Sequence, residues 1–206
     1  MSVPPKTVTT VIWDVGNVIV RWDPRTLYSK IFPDEAERDW FLANVCTMPW
    51  HMRHDAGVPF EENRRPLLAQ YPDYAEAIVA WEARWWEMFS GPIPETVDAI
   101  EALHARGVTQ AGLTNMPSST AAGTFAMSPA FQRFKHIVVS GDVGLAKPDP
   151  RIFELAAHHA GHPPASLLFV DDSPRNCEAA RGVGYAVHHF TDPAALAPAL
   201  KAHGLL

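Results

Sequence analysis

"VIWDVGNVIV", residues 11–20, is an apolar run interrupted first by an aspartate and then by a glycine–asparagine pair. Valine, isoleucine and tryptophan suit a pleated, buried strand, whereas Gly16-Asn17 suits a sharp turn. Residues 8–20 therefore read as a strand with a glycine break, carrying Asp14 near its tip. An aspartate there can simply end a strand, or it can meet a ligand. The rest of the chain decides between the two.

Four more apolar runs follow, at 108–113 (VTQAGL), 137–140 (IVVS), 167–170 (LLFV) and 184–188 (GYAVH). Helical segments separate them at 94–106, 149–160 and 174–182, the first opening on Pro94 and stopping at Gly107. Apolar runs without alternation, spaced by helices, belong to parallel strands covered on both faces. The fold class that follows is α/β, a doubly wound parallel sheet of Rossmann-like form.

The segment from about Asp23 to Gly91 has a different character: it reads as helical and holds five of the seven tryptophans (Trp40, Trp50, Trp81, Trp85, Trp86). Asp34 is placed to cap a helix running toward Val45, and Pro59 to start another. A longer helix is expected from Pro72 to near Ser90 and Gly91. Trp81, Trp85 and Phe89 would share one face of it, a face for packing. "GPIP" at 91–94 is rigid punctuation. The expected organisation is a core from 1–21 and 95–206, with an all-helical cap at 22–94 that opens about Arg21 and Gly91–Pro94.

With 206 residues, 47% hydrophobic and 19% charged, the chain is long and apolar enough for one globular domain carrying an insertion. A net charge of -6 offers no electrostatic footprint for nucleic acid or an anionic membrane. No run approaches the ~18 apolar residues of a membrane span, and the N-terminal MSVPPKTVTT lacks the apolar stretch of a secretory signal. Two cysteines suit a reducing compartment, and the cytoplasm is the expected location. An exposed face of the tryptophan-rich insert could meet a second copy and a buried one could not, so monomer and homodimer are both compatible.

In an open parallel sheet, ligands bind beyond the carboxyl ends of the strands. Asp14 follows the first apolar run, Thr114-Asn115 the second and Asp171-Asp172 the fourth; Lys147 lies in "GDVGLAKPDP" after the third. Carboxylates, a hydroxyl and an ammonium thus converge on one edge. Phosphoryl transfer wants this set. A carboxylate can attack phosphorus, a divalent cation held by carboxylates can offset charge, and a lysine and a hydroxyl can meet the equatorial oxygens.

The segments "DVGNV" (14–18), "LTN" (113–115), "GLAKPDP" (144–150) and "FVDDSPRN" (169–176) resemble, in order, the four motifs of the haloacid dehalogenase superfamily. The insert between the first two stands where that family carries a C1-type helical cap. The resemblance implies a Mg²⁺-dependent phosphatase acting on a small phosphate ester, a sugar phosphate first among the candidates. Asp14 would be the nucleophile and Lys147 its stabiliser, while Thr114 and Asn115 would bind phosphate. Asp14, Gly16 (through its carbonyl), Asp171 and Asp172 would hold Mg²⁺, supported by Asn176. Cap residues Trp50, His51, His54 and Asp55, in "PWHMRHDAGVPF", are candidates for substrate contact.

One departure stands out. Most phosphatases of the family carry an acid–base aspartate two residues after the nucleophile, a group worth about 10²–10⁴-fold in rate. Here that position is Gly16. The start "D-x-G-N-V" resembles the branch containing α-D-glucose-1-phosphate phosphatase. Two other functions fit the same residues: a 2-haloacid dehalogenase using Asp14 on carbon, and a non-catalytic phospholigand-binding module. The pairs His158-His159 and His188-His189 lack a zinc pattern, and nothing marks Cys177 as a reactive thiolate.

Overall fold

The computed structural model describes residues 7–206; residues 1–6, expected to open the core and free of any signal-like stretch, lie outside the described part. Seven strands occur among the described residues: β1 (Thr10–Trp13), β2 (Val20–Trp22), β3 (Phe89–Pro92), β4 (Thr109–Thr114), β5 (Ile137–Val139), β6 (Leu167–Asp171) and β7 (Ala186–His189). Five of them form one parallel sheet in the order β5-β4-β1-β6-β7. β1 is central. Its two neighbours therefore deliver their own carboxyl-end residues, Thr114 and Asp171, to either side of the residue that follows β1.

Alternation along the strands assigns the two faces. Val11, Trp13, Leu168 and Val170 pack with α6 (Pro94–Ala105) and α11 (Leu196–Ala202), whereas Ile12, Leu113, Leu167 and Phe169 pack with α9 (Pro150–Ala160) and α10 (Pro174–Val183). A buried polar pair across β1 and β4 is satisfied: Trp13 Nε1 donates to Gln110 Oε1 at 3.0 Å, and Gln110 Nε2 donates to the Ile100 carbonyl at 3.0 Å. Without such partners these groups would destabilise the centre of the sheet.

Helices α1 (Pro24–Ile31), α2 (Glu35–Asn44), α3 (Met48–Asp55), α4 (Phe60–Gln70) and α5 (Ala75–Ala83) build the insert around their own apolar cluster, including Tyr28, Phe41, Ile78 and Trp81. The Asp34 carboxylate caps α2 by accepting from the Ala36 N–H at 2.8 Å. The remaining helices, α7 (Ser118–Phe125) and α8 (Ser140–Val143), flank the sheet's carboxyl edge.

Two expectations are corrected. The first apolar run is not one strand: after β1 the chain turns, and Val20–Trp22 pairs antiparallel with Phe89–Pro92, Arg21 opposite Gly91. Nor does a helix run to Ser90. It ends at Ala83, where Arg84 leaves helical geometry and grips Glu87 at 2.6 and 2.9 Å; a 3₁₀ turn at Trp85–Met88 then feeds β3. The backbone groups a longer helix would have used are taken by the β2–β3 ribbon, which joins insert and core. No helix among the described residues is long and apolar enough to cross a membrane.

Candidate active site

Asp14 directly follows β1, and its N–H still joins the ladder by donating to the Val170 carbonyl at 2.9 Å. The chain then turns tightly. Asn17 adopts φ +56°, a left-handed conformation that asparagine tolerates better than most residues. Its N–H donates to the Val20 carbonyl at 2.7 Å and its Oδ1 accepts from the Trp22 N–H at 3.0 Å. The turn leaves the Asp14 carboxylate at the strand tip, where Oδ1 accepts from the Val15 N–H at 2.7 Å and from Lys147 Nζ at 2.8 Å.

Lys147 is buried, and its ammonium bridges Asp14 to Asp171, whose Oδ2 lies at 2.7 Å. Asn115 fixes the lysine's backbone from the tip of β4. Its Oδ1 accepts from the Lys147 N–H at 2.8 Å and its Nδ2 donates to the Lys147 carbonyl at 2.9 Å. Asp171 is fully enclosed: besides Lys147 it accepts from the Ser173 N–H at 2.7 Å and from Asn176 Nδ2 at 3.1 Å on both oxygens. Asp172 is half-buried, and His189 Nε2 lies 2.9 Å from its carbonyl oxygen, which accepts from the Nε2–H tautomer.

Asp14, Asp171 and Asp172 each offer a carboxylate oxygen within 4.8 Å of the others. Burial pushes the Asp14 carboxyl well above the usual carboxylate range; Lys147 opposes this and Asp171 adds to it. Burial, and then Asp171, also raise Asp172. For Lys147, burial opposes the charged form, but Asp14 and Asp171 together raise its pKa above the ordinary lysine value. Three carboxylates around one ammonium leave unbalanced negative charge in a poorly solvated place, so the cluster favours a further cation.

Above this edge lies a cavity of about 110 Å³ between core and insert. Gly16, Thr114, Asn115 and Met116 form its core wall; Trp22, Met48, His51, Asp55, Trp85 and Phe89 form the opposite wall.

A family model described as haloacid dehalogenase-like hydrolase matches residues 8–184. The chain belongs to that family. It is a hydrolase. Among its curated relatives, the phosphoglycolate phosphatase of Salmonella typhi is 28% identical over 130 residues, 63% of this chain and 49% of that one. The chain thus spans about half the length of the curated relatives it matches. A HAD family hydrolase from Deinococcus radiodurans R1, solved with bound phosphate and sodium, superposes with a TM-score of 0.68 at 20% identity, covering 98% of each chain. A HAD family enzyme from Bacteroides thetaiotaomicron, solved with magnesium and inorganic phosphate, superposes with a TM-score of 0.64 at 20% identity, covering 88% of this chain and 93% of that one.

The fold places some expected substrate residues away from the cavity. Trp50 Nε1 donates to the Asn63 carbonyl at 3.1 Å. His54 is spent on the Val58 carbonyl at 3.1 Å and on Asn63 Nδ2 at 3.0 Å. Both rings thus stabilise the interior of the insert, where an unpaired polar group would be costly. His51 and Asp55, one turn apart on α3, face the cavity. Trp81, Trp85 and Phe89 pack in the insert's apolar cluster as expected, and Trp85 and Phe89 also line the cavity. Trp22 carries no expectation from the sequence, and His189 reads there only as one of a pair lacking a zinc pattern. The available signal for Trp22 was its position directly after the turn that positions Asp14.

Proposed function

We propose that this hydrolase is a Mg²⁺-dependent phosphatase that cleaves a small phosphorylated metabolite, a sugar phosphate, through an aspartyl-phosphate on Asp14. The observation that carries the reading is the meeting of Asp14, Lys147, Asp171 and Asp172 at adjacent strand tips, with Thr114 beside them. Oδ1 of Asp14 is held by Val15 and Lys147, leaving Oδ2 without a hydrogen bond from the described residues and free to attack phosphorus in line with the leaving oxygen. The Thr114 hydroxyl and the Asn115 N–H would donate to the phosphate's equatorial oxygens, and Lys147 would offset the charge developing there.

The carboxylate cluster suits a hard divalent ion. Asp14, Asp172 and the Gly16 carbonyl would hold it. Asp171, both of whose oxygens are already engaged, would orient Lys147. Bound there, Mg²⁺ would offset the phosphate's charge against that of the carboxylates. The magnesium and phosphate found with the Bacteroides relative support this reading.

A polyhydroxylated leaving group suits the cavity. Trp22 Nε1, Trp85 Nε1, His51 Nδ1 and Asp55 Oδ1 are buried without a hydrogen-bonding partner, and all four residues line it. Hydroxyls would satisfy such atoms, and the indoles would cover the apolar face of a sugar ring.

The test offers the purified protein a panel of sugar phosphates and p-nitrophenyl phosphate, with Mg²⁺ and with EDTA, and L-2-chloropropionate without metal. Phosphate release that EDTA and Asp14→Asn abolish is the expected result. Halide release would replace the reading with a dehalogenase. Silence toward every substrate, with tight binding of beryllium fluoride, would replace it with a non-catalytic module.

A further inference from the structure

Gly16 leaves the nucleophile without the usual neighbouring acid, yet nothing about the fold requires a glycine there. Its φ lies outside the left-handed region, and a Cβ built on it meets no atom within 4 Å. The space beside Asp14 is open, so the proton must be handled by another group that reaches the same cavity.

Only two ionisable side chains line that cavity among the described residues, His51 and Asp55. Burial holds the His51 imidazole neutral, its pKa lowered to about 3, so at neutral pH it has no proton to give as an imidazolium. Asp55 has the properties of a proton donor. It sits in the last turn of α3, 5% exposed, and its Oδ1 has no hydrogen-bonding partner. Burial pushes its carboxyl up to about 7, with only the Lys147 ammonium opposing. Asp55 lines the same cavity as Gly16, Thr114 and Asn115, and Asn115 holds the backbone of the lysine that contacts Asp14. His51 Nε2 lies 3.4 Å from Asp55 Oδ1, so the charged and titratable groups facing Asp55 are His51 on its own helix and Lys147 from the core.

We propose that Asp55, supplied by the insert, is the acid–base catalyst of this hydrolase; the proposal rests on the phosphatase reading above. In the first step Asp14 Oδ2 bonds to phosphorus, the bond from phosphorus to the leaving oxygen breaks, and the Asp55 carboxyl proton passes to that oxygen. The products are a free alcohol, the aspartyl-phosphate and an Asp55 carboxylate. In the second step the Asp55 carboxylate takes a proton from water as the water oxygen bonds to phosphorus. The bond from phosphorus to Asp14 breaks, inorganic phosphate leaves, and both carboxyl groups return to their starting states. His51 positions Asp55. Because the acid arrives on α3, proton transfer is complete only when the insert covers the core.

Leaving-group dependence tests this. p-Nitrophenolate leaves without a proton, whereas an alkoxide does not. For Asp55→Asn, kcat/KM for the best alkyl phosphate of the panel is expected to fall about 10²–10⁴-fold, and far less for p-nitrophenyl phosphate. A pre-steady-state burst of p-nitrophenol should appear, because the second step has lost its base. Adding Gly16→Asp to Asp55→Asn should recover much of the loss on the alkyl ester. Equal losses in kcat/KM for the two substrates, or no loss for either, would overturn the role of Asp55 while leaving the phosphatase intact. A wild-type protein silent on every phosphate ester would overturn both.

Discussion

Asp55→Asn should make the protein more stable at pH 8 than the wild type, and the advantage should disappear toward pH 4. In the unfolded chain an aspartate ionises near pH 3.9. In the folded protein burial keeps the Asp55 proton on until about pH 7. Between those values the unfolded state releases a proton that the folded state retains. The group's contribution is therefore fully present below about pH 4, is lost as pH rises toward 7, and is level above. Three pKa units at 1.36 kcal/mol each set the loss at about 4 kcal/mol, or about 10 °C in Tm for a chain of this size. Asparagine keeps the shape and cannot ionise, so it escapes the loss. The His51 imidazole, lowered to about 3 by burial, works oppositely: its contribution is lost as pH falls below about 6.5. It does so in both proteins and cancels in the comparison. Thermal melts of the two proteins in EDTA from pH 4.5 to 8.5 make the measurement. A Tm difference that does not change with pH, or a variant less stable at pH 8, would refute a buried, unpaired Asp55.

Lys147→Ala should abolish turnover and cost about 3–5 kcal/mol in urea unfolding without added metal, because the buried Asp14 and Asp171 lose the cation between them. Mg²⁺ should raise the wild-type Tm, with a stabilisation of about 2.7 kcal/mol at a hundredfold excess over Kd, and Asp172→Asn should lose most of that rise in the same melts. Gly112→Ala should destabilise the sheet by about 1–3 kcal/mol, because the new Cβ would stand 2.9 Å from Ile137 Cγ2; a chemical melt with unchanged stability would refute that packing.

The parallel sheet was legible because its central strands are buried on both faces and read as unbroken apolar runs, and because β1, β4 and β6 each end in a residue suited to phosphate or metal. The ribbon between β2 and β3 was not legible, since Val20 reads as the end of the first apolar run and its partner segment, nearly the length of the insert away, reads as the end of a helix. Trp85 and Phe89 illustrate the consequence. Their four-residue spacing suggests one helical face, but the chain leaves the helix at Arg84 and turns both toward the cavity. The division of α3 between packing and cavity has a different cause. Trp50 and His54 form one i, i+4 stripe and His51 and Asp55 form another, rotated by about 100°. Periodicity sees both equally. Only the packing of Asn63 against Trp50 and His54 decides which stripe is left for the cavity.

Acid-quenched mass spectrometry during turnover of the best phosphate ester tests the central claim most directly, run in parallel in ¹⁸O-labelled water. Phosphate carried on the peptide containing Asp14, with solvent oxygen appearing in the released phosphate, is the predicted result. Turnover with no phosphate on Asp14, or with ¹⁸O built into the Asp14 carboxylate, would contradict it.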